Sequence, residues 1–353
     1  MRVRVRFAPS PTGSLHLGNA LTAAANRRFA EDRGGTLVLR IDDTDATRAV
    51  ADGVEAIVAD LEWLGIAWDE GPVRQSERGT IYAEAAGTVE REGGATRDAD
   101  GTLRLDGVTL VRADGTATYQ LATVADDLDL SITHVIRGSD HRPNEAVQQR
   151  IARALGAELP EVIHHGLLLG ADGKKLSKRH GHASVADFRD EGIPAAALRA
   201  YLDELGLPAH DVRLDRARIG RLAIEAIEAM GDEELAAAAD APPSAVRALR
   251  GARTLVEARE IGRQITSPAP AALPEEARPT LERFVELRDR APDNLDEDGA
   301  RAIIRELKAV GGDLRALRLA LTGAPRGPEL WTVVLALAPG EALERVRGST
   351  RRP

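Results

Sequence analysis

The sequence has 353 residues, enough for about two domains with cores of their own, and its complete lack of cysteine excludes disulfides, thiolate zinc sites and thiol catalysis. A composition of 43% hydrophobic and 29% charged residues describes an ordinary globular chain, and a formal net charge of −9 is not the footprint of a non-specific nucleic-acid binder. No apolar run approaches the ~18 residues needed to cross a bilayer and the start lacks the apolar region of a signal peptide, so the expected location is the cytoplasm, with no membrane partner.

Val3, Val5 and Phe7 alternate with Arg2, Arg4 and Arg6, the period of a half-buried strand. The turn-rich residues 8–14 interrupt it. Leu17, Leu21, Ala25 and Phe29 recur at spacing four, one face of a helix that Gly34-Gly35 ends. Residues 36–41 return as a strand, and Val54, Ile57, Val58, Leu61 and Leu64 mark the next helix. This alternation predicts a parallel sheet covered by helices. Residues 76–118 break the pattern with Gly93-Gly94, a polar run at 97–101 and short strand-like pieces, and are expected to form a small insertion. The sheet pattern is expected to resume at 119–124 and 131–137, followed by a helix over about 144–155 and a buried strand over 162–169. Beyond residue 184 the sequence turns wholly helical, with joints at Pro242-Pro243 and at 267–274. The alanine tract 236–239 is expected to be plain helix and Trp63, Trp68 and Trp331 to be packing residues. His164-His165, in an apolar strand, are expected to be satisfied core histidines rather than ligands.

Two segments carry chemistry. The first, Pro9-Ser10-Pro11-Thr12-Gly13-Ser14-Leu15-His16-Leu17-Gly18-Asn19, lies between the first strand and the first helix. Ligands of an open parallel sheet bind beyond the carboxyl ends of its strands, and a helix N-terminus there suits phosphates. His16 and Asn19 can donate to phosphate oxygens, and Gly18 lets a nucleotide approach the backbone. A helix start with His16 as a polar cap is the alternative. The second, Asp172-Gly173-Lys174-Lys175-Leu176-Ser177-Lys178-Arg179-His180-Gly181-His182, puts four cations within six positions between glycines. That is the composition of a loop that closes on polyphosphate, or of a solvated charged turn.

The pairing of these segments, in this order, resembles the class I aminoacyl-tRNA synthetases, and the surrounding text is similar to glutamyl-tRNA synthetase. The matching stretches are residues 6–13, Leu39-Arg40-Ile41-Asp42-Asp43-Thr44-Asp45, Thr118-Tyr119 with Val124-Ala125-Asp126-Asp127, Thr133-His134-Val135-Ile136-Arg137-Gly138 and residues 175–181. Arg318-Leu319-Ala320-Leu321-Thr322-Gly323 with Gly327-Pro328-Glu329-Leu330 resembles the end of the family's anticodon-binding region. The resemblance covers about 1–75 and 108–206, weakens over 207–310 and recovers at 315–335.

The resemblance implies a Rossmann-like doubly wound α/β catalytic domain over 1–75 and 119–185, with a reduced acceptor-end-binding insertion at 76–118. A helical stem-contact region over 186–265 and a helical anticodon-binding-like region over 266–353 would complete an all-α C-terminal part. It implies a glutamate–tRNA ligase: glutamate is activated by ATP to glutamyl-adenylate and transferred to the 3′ terminal ribose of tRNA-Glu, with tRNA-Gln a second candidate acceptor. His16, Asn19, Lys175 and Lys178 would be catalytic, holding the phosphates and stabilising departing pyrophosphate, with Gly18 and Ser177 completing the ATP site. Arg6, Tyr119 and Arg137 would clasp the side-chain carboxylate of glutamate, and Ser10, Asp42 and Thr123 would complete its pocket. Mg2+ would arrive on ATP, without zinc, and the protein would act as a monomer. The alternative for Arg6 is one more exposed strand arginine beside Arg2 and Arg4.

The chain departs from the family at Asp42, where Glu is usual, at Thr123, where Asn is common, and at Ser139-Asp140-His141, where an acidic-aromatic pattern is expected. It is also short, with both the insertion and the C-terminal region reduced. Arg247, Arg250, Arg253, Arg345, Arg347, Arg351 and Arg352 are candidates for phosphate contacts or for solvated surface. Two other readings are a synthetase that glutamylates a queuosine base of tRNA-Asp, and a non-catalytic tRNA-binding paralogue. The first of these relatives normally ends soon after the lysine loop, whereas this chain continues for 174 residues past Arg179.

Overall fold

The computed structural model describes residues 2–44, 50–176, 183–271 and 273–350. The chain divides into two compact units, Met1–Arg189 with Leu198–Arg216 and Asp190–Ala197 with Ala217–Pro353. The first unit is built on β1 (Arg4–Phe7), β2 (Thr36–Ile41), β3 (Glu70–Arg74), β7 (His134–Gly138) and β8 (Glu161–His165). They form one five-stranded sheet in the order β3-β2-β1-β7-β8, with every pair parallel. Helices α1 (Leu17–Asp32), α2 (Gly53–Trp63), α4 (Tyr119–Asp129) and α5 (Arg142–Ala154) make the crossovers. Between β3 and α4 lie α3 (Gly79–Arg91) and a small antiparallel sheet of β4 (Thr96–Arg97), β5 (Leu103–Leu105) and β6 (Val108–Val111). This insertion has no core of its own: Tyr82, Val89, Leu103 and Leu110 share one apolar cluster with Leu121 and Val124 of α4 and Ile151 of α5.

The doubly wound parallel domain with a small insertion is therefore present, but some boundaries differ from those the sequence suggests. Residues 119–124 are helix, not strand. Over eleven residues Leu121, Val124, Ala125 and Leu128 follow the helical spacing, which a six-residue window does not reveal. The insertion holds the expected short strands, β4 to β6, but α3 comes before them, a helix not expected there, and β3, with few apolar residues, gives no periodic signal. The buried strand expected over 162–169 is split into β8 and β9 (Leu168–Leu169). A Cβ on Gly166, between them, would lie 2.0 Å from the carbonyl oxygen of His210, so neighbouring chain occupies the space a side chain would need. Leu168 and Leu169 pair with β10 (Val212–Arg213), a two-residue strand in a stretch expected to be wholly helical. Helices α6 (Val185–Asp190) and α7 (Ala195–Leu205) precede it.

The second unit is helical: α8 (Arg216–Ala229), α9 (Asp232–Ala238), α10 (Val246–Leu249), α11 (Leu255–Thr266), α12 (Arg278–Arg290), α13 (Glu297–Ala309), α14 (Leu314–Thr322), α15 (Leu330–Ala336) and α16 (Pro339–Thr350). One cluster of small and aliphatic side chains, centred on Phe284, Leu317 and Val333, runs through it. Trp331 is buried there with the guanidinium of Arg301 over its ring at 4.0 Å. Of the scattered arginines, Arg250 donates to the carbonyls of Ile227, Glu228 and Met230, and Arg345 to those of Leu321 and Ile265. Those two are spent inside the unit, whereas Arg247 and Arg253 are exposed. Arg351 and Arg352 lie outside the described residues.

The interior of the first unit is not wholly apolar. All six residues of β2 are buried, and one of them is Arg40. A buried guanidinium needs carboxylate partners, and three aspartates supply them. Arg40 Nε lies 2.7 Å from Asp42 Oδ1 and 3.7 Å from Asp126 Oδ2, and Nη1 lies 2.9 Å from Asp127 Oδ1. Asp126 also accepts from Gln75 Nε2 at 2.7 Å, Arg78 Nε at 2.7 Å and the Tyr82 hydroxyl at 3.0 Å, joining the insertion to α4. Burial works against the charge on Arg40, but Asp42, Asp127 and Asp126 together outweigh it and raise its pKa above the usual arginine value. Arg40→Met should cost about 3–5 kcal/mol, because it strands buried carboxylates. Urea unfolding of the purified chain measures this, and a loss below about 1 kcal/mol would contradict the network's role.

Candidate active site

In a sheet ordered β3-β2-β1-β7-β8 the chain turns one way from β1 to β2 and the other way to β7, so a crevice opens beyond the carboxyl ends of β1 and β7. A cleft of about 740 Å³ occupies that place. One wall is the loop from β1 into α1. Its shape is held by neighbouring segments: Asp42 N donates to Pro9 O at 2.9 Å, Val50 N to Pro11 O at 3.0 Å, and Ser14 Oγ and Leu15 N both to Asp60 Oδ2 at 2.7 Å. Asp60 is fixed in turn by Arg189 at 2.7 Å. His16 then caps α1 with extended backbone, and Gly18 and Asn19 form the first turn. A Cβ on Gly18 would meet nothing within 4 Å, so the protein's own packing does not demand glycine there.

The cleft brings together Arg6, Ser10, His16, Gly18, Asn19, Asp42, Tyr119, Arg137 and Lys175, drawn from segments far apart in sequence. Thr123 is buried one turn along α4, with its hydroxyl unpartnered, and does not line the cleft. Ser177 and Lys178 lie outside the described residues. Lys175 reaches back to Asp140, with Nζ 2.5 Å from Oδ2. Burial would raise the Asp140 carboxyl, but the Lys175 hydrogen bond and the charges of His141 and Lys175 outweigh it and hold it below the carboxylate range.

The two inward arginines differ in how their charge is met. Arg6 is buried, unlike Arg2 and Arg4, and its Nε lies 3.1 Å from Asp127 Oδ1. Arg137, also buried, donates from Nη1 to Gln148 Oε1 at 2.8 Å and from Nε to His164 Nε2 at 3.3 Å, while its Nη2 is buried without a partner. Burial lowers its pKa, and the repulsion of Arg6 adds to this. The carboxyl of Asp42 is raised, chiefly by burial and partly by Asp126, against the pull of Arg40 and Arg6.

Residues 2–106 and 99–220 match the family described as tRNA synthetases class I (E and Q), catalytic domain. The chain belongs to the glutamyl-tRNA synthetase family. Over 98% of its length it is 37% identical to glutamate–tRNA ligase 1 of Rubrobacter xylanophilus, covering 97% of that protein. It is 32% identical to glutamate–tRNA ligase 2 of Paracoccus denitrificans, with 98% of each covered. The first alignment spans 427 positions against 353 residues here, so the relative carries segments that this chain lacks. In fold it is similar to the glutamate tRNA ligase of Elizabethkingia meningosepticum crystallised with its amino acid, at TM-score 0.78 and 22% identity over 99% of both chains.

Several residues of the cleft give no signal by spacing alone. Asp140, Asn144 and His165 line the cleft, and Gln148 stands behind it. His165 is a satisfied core histidine, as expected, and also part of the wall. Its Nδ1 faces the carbonyl of Gly166 at 2.8 Å, which can only accept, so Nε2 of the neutral ring accepts from the Thr22 hydroxyl at 3.0 Å. His141, His164 and His165 all fall below the ordinary imidazole value of 6.5, with burial the leading cause in each. As pH drops through 6.5 the unfolded chain takes up protons at these positions before the folded one does, so stability complete above 6.5 is lost on acidification. Thermal unfolding between about pH 7.5 and about pH 5.5 should show Tm falling, with His165→Gln flattening the fall; an unchanged slope would remove His165 from the effect.

Proposed function

We propose that this chain is a glutamate–tRNA ligase. The observation that carries the reading is Arg137: a buried cation in the crevice, with one N–H group aimed at no protein acceptor, supports recognition of a carboxylate side chain. With Arg6 and the Tyr119 hydroxyl it would clasp the side chain of glutamate, while Asp42 would accept from the α-ammonium. Ser10 would sit beside the same substrate, and Thr123 would act from behind the wall.

The triphosphate of ATP would lie at the N-terminus of α1, where free N–H groups and the helix dipole favour anions. His16 and Asn19 would hold phosphate oxygens, and the open space over Gly18 suits a nucleotide lying against the backbone. An oxygen of glutamate's α-carboxylate would attack the α-phosphorus in line. Pyrophosphate would leave with its charge met by Lys175 and Lys178, and Ser177 would bind beside them. Lys175 would have to exchange Asp140 for phosphate. A hydroxyl of the terminal ribose of tRNA-Glu would then attack the adenylate carbonyl and release AMP. Catalysis of this kind is mainly positioning and charge stabilisation. Mg2+ would arrive on the nucleotide, held largely by its phosphates. Residues 76–118 would meet the acceptor end, 186–265 the stem and 266–353 the anticodon side. No helix among the described residues is long and apolar enough to cross a membrane, and the proposed site of action is the cytoplasm.

Labelled glutamate should be transferred to tRNA-Glu, and periodate oxidation of the terminal ribose beforehand should abolish the transfer. Periodate-resistant labelling of tRNA-Asp would indicate base modification instead, and no labelling of any tRNA would point to a non-catalytic binder. Lys178→Ala should slow pyrophosphate exchange, measured with tRNA-Glu present, by roughly 10²–10³, the cost of one lost charge-stabilising donor. Unchanged exchange would remove Lys178 from the mechanism.

A further inference from the structure

The buried arginines of the first unit are treated in two ways. Arg40 is surrounded by Asp42, Asp126 and Asp127, and Arg6 shares Asp127. Arg137 has no carboxylate within ion-pair distance among the described residues, and Asp127 and Glu145 act on it only at longer range; its contacts are the amide of Gln148 and the ring of His164. We infer that Gln148 and His164 determine specificity by positioning Arg137 with neutral acceptors only, which leaves its charge to be met by an anionic substrate side chain. The inference rests on the glutamate reading of the cleft and assigns that selectivity to residues that do not line it.

Gln148 is 3% exposed on α5, and its Oε1 takes Nη1 of Arg137. Its Nε2 is buried without a hydrogen-bond partner, a cost that a glutamate of the same size would avoid. A glutamate there would also pair with Arg137 and give the cation an internal counter-charge. The amide is therefore the less satisfied choice for the free protein and the better one for keeping Arg137 available. His164 acts from the other side. Arg137 and His164 are register partners on β7 and β8, and Nε2 of the ring can accept from Arg137 only while it carries no proton. Burial first, and then Arg137 itself, keep the ring neutral. The groups facing His164 are Arg137, Arg142 and His165, which oppose its protonation, and Glu145, whose Oε2 lies 3.8 Å from Nδ1 and favours it.

Two substitutions separate charge from shape. In pyrophosphate exchange with tRNA-Glu present, Gln148→Glu should raise KM for glutamate roughly 30-fold or more, with kcat within about threefold and KM for ATP within about twofold. Gln148→Met, which removes the acceptor without adding charge, should raise glutamate KM by less than about tenfold. The preference for glutamate over glutamine should fall in Gln148→Glu and hold in Gln148→Met. Equal KM shifts in both variants, or a loss confined to kcat, would show a merely structural role and overturn the inference. If Gln148→Glu does not yield folded protein, His164→Glu brings the carboxylate from β8 and must reproduce the split. A wild-type protein that does not activate glutamate would sink the reading of the cleft itself, whereas an active wild type with an unmoved Gln148→Glu sinks only the assignment to Gln148.

Discussion

The first unit is organised around one buried cation. Arg40 lies in a strand covered on both faces, so its charge must be answered inside the protein, and the three aspartates that answer it come from the end of β2 and from α4. Each then does a second job. Asp42 stands at the cleft, Asp127 orients Arg6, and Asp126 gathers Gln75, Arg78 and Tyr82 from the insertion. Strand, helix, insertion and cleft are thus held in register by directional bonds as well as by apolar packing.

Electrostatically the cleft has two ends. Near α1 the attraction for anions comes from a helix terminus and from Lys175, an exposed cation. Near β7 it comes from Arg137, buried and fixed. Asp140 links the two ends, since it lies in the turn that follows β7 and pairs with Lys175.

Much of this was legible in the chain. The alternation of Val3, Val5 and Phe7, the spacing of Leu17 to Phe29 and the glycines that close α1 predict the first strand, helix and return strand where the structure has them. The segments around His16 and Lys175 predict that distant parts of the chain line one cleft. Long-range pairing between charges was not legible. Arg40 in an apolar strand signals that partners are needed, but nothing in its spacing selects Asp126 and Asp127, more than eighty positions away. Helix α4 is hidden for a related reason: Thr123, Asp126 and Asp127 are polar residues buried for contact, and over a short window they mask the apolar stripe that marks a helix.

The insertion between β3 and α4 has a final consequence. Because Tyr82, Val89 and Leu110 settle against Leu121, Val124 and Ile151 of the crossover helices, the segment is a lean-to rather than an outbuilding. A graft taken from a longer relative would have to bring a matching underside, and a clean excision would leave those three crossover residues facing water. Changes of length are absorbed most easily at the far rim, around the turns at 98–101 and 112–116, where hydrogen bonds stay within the hairpins.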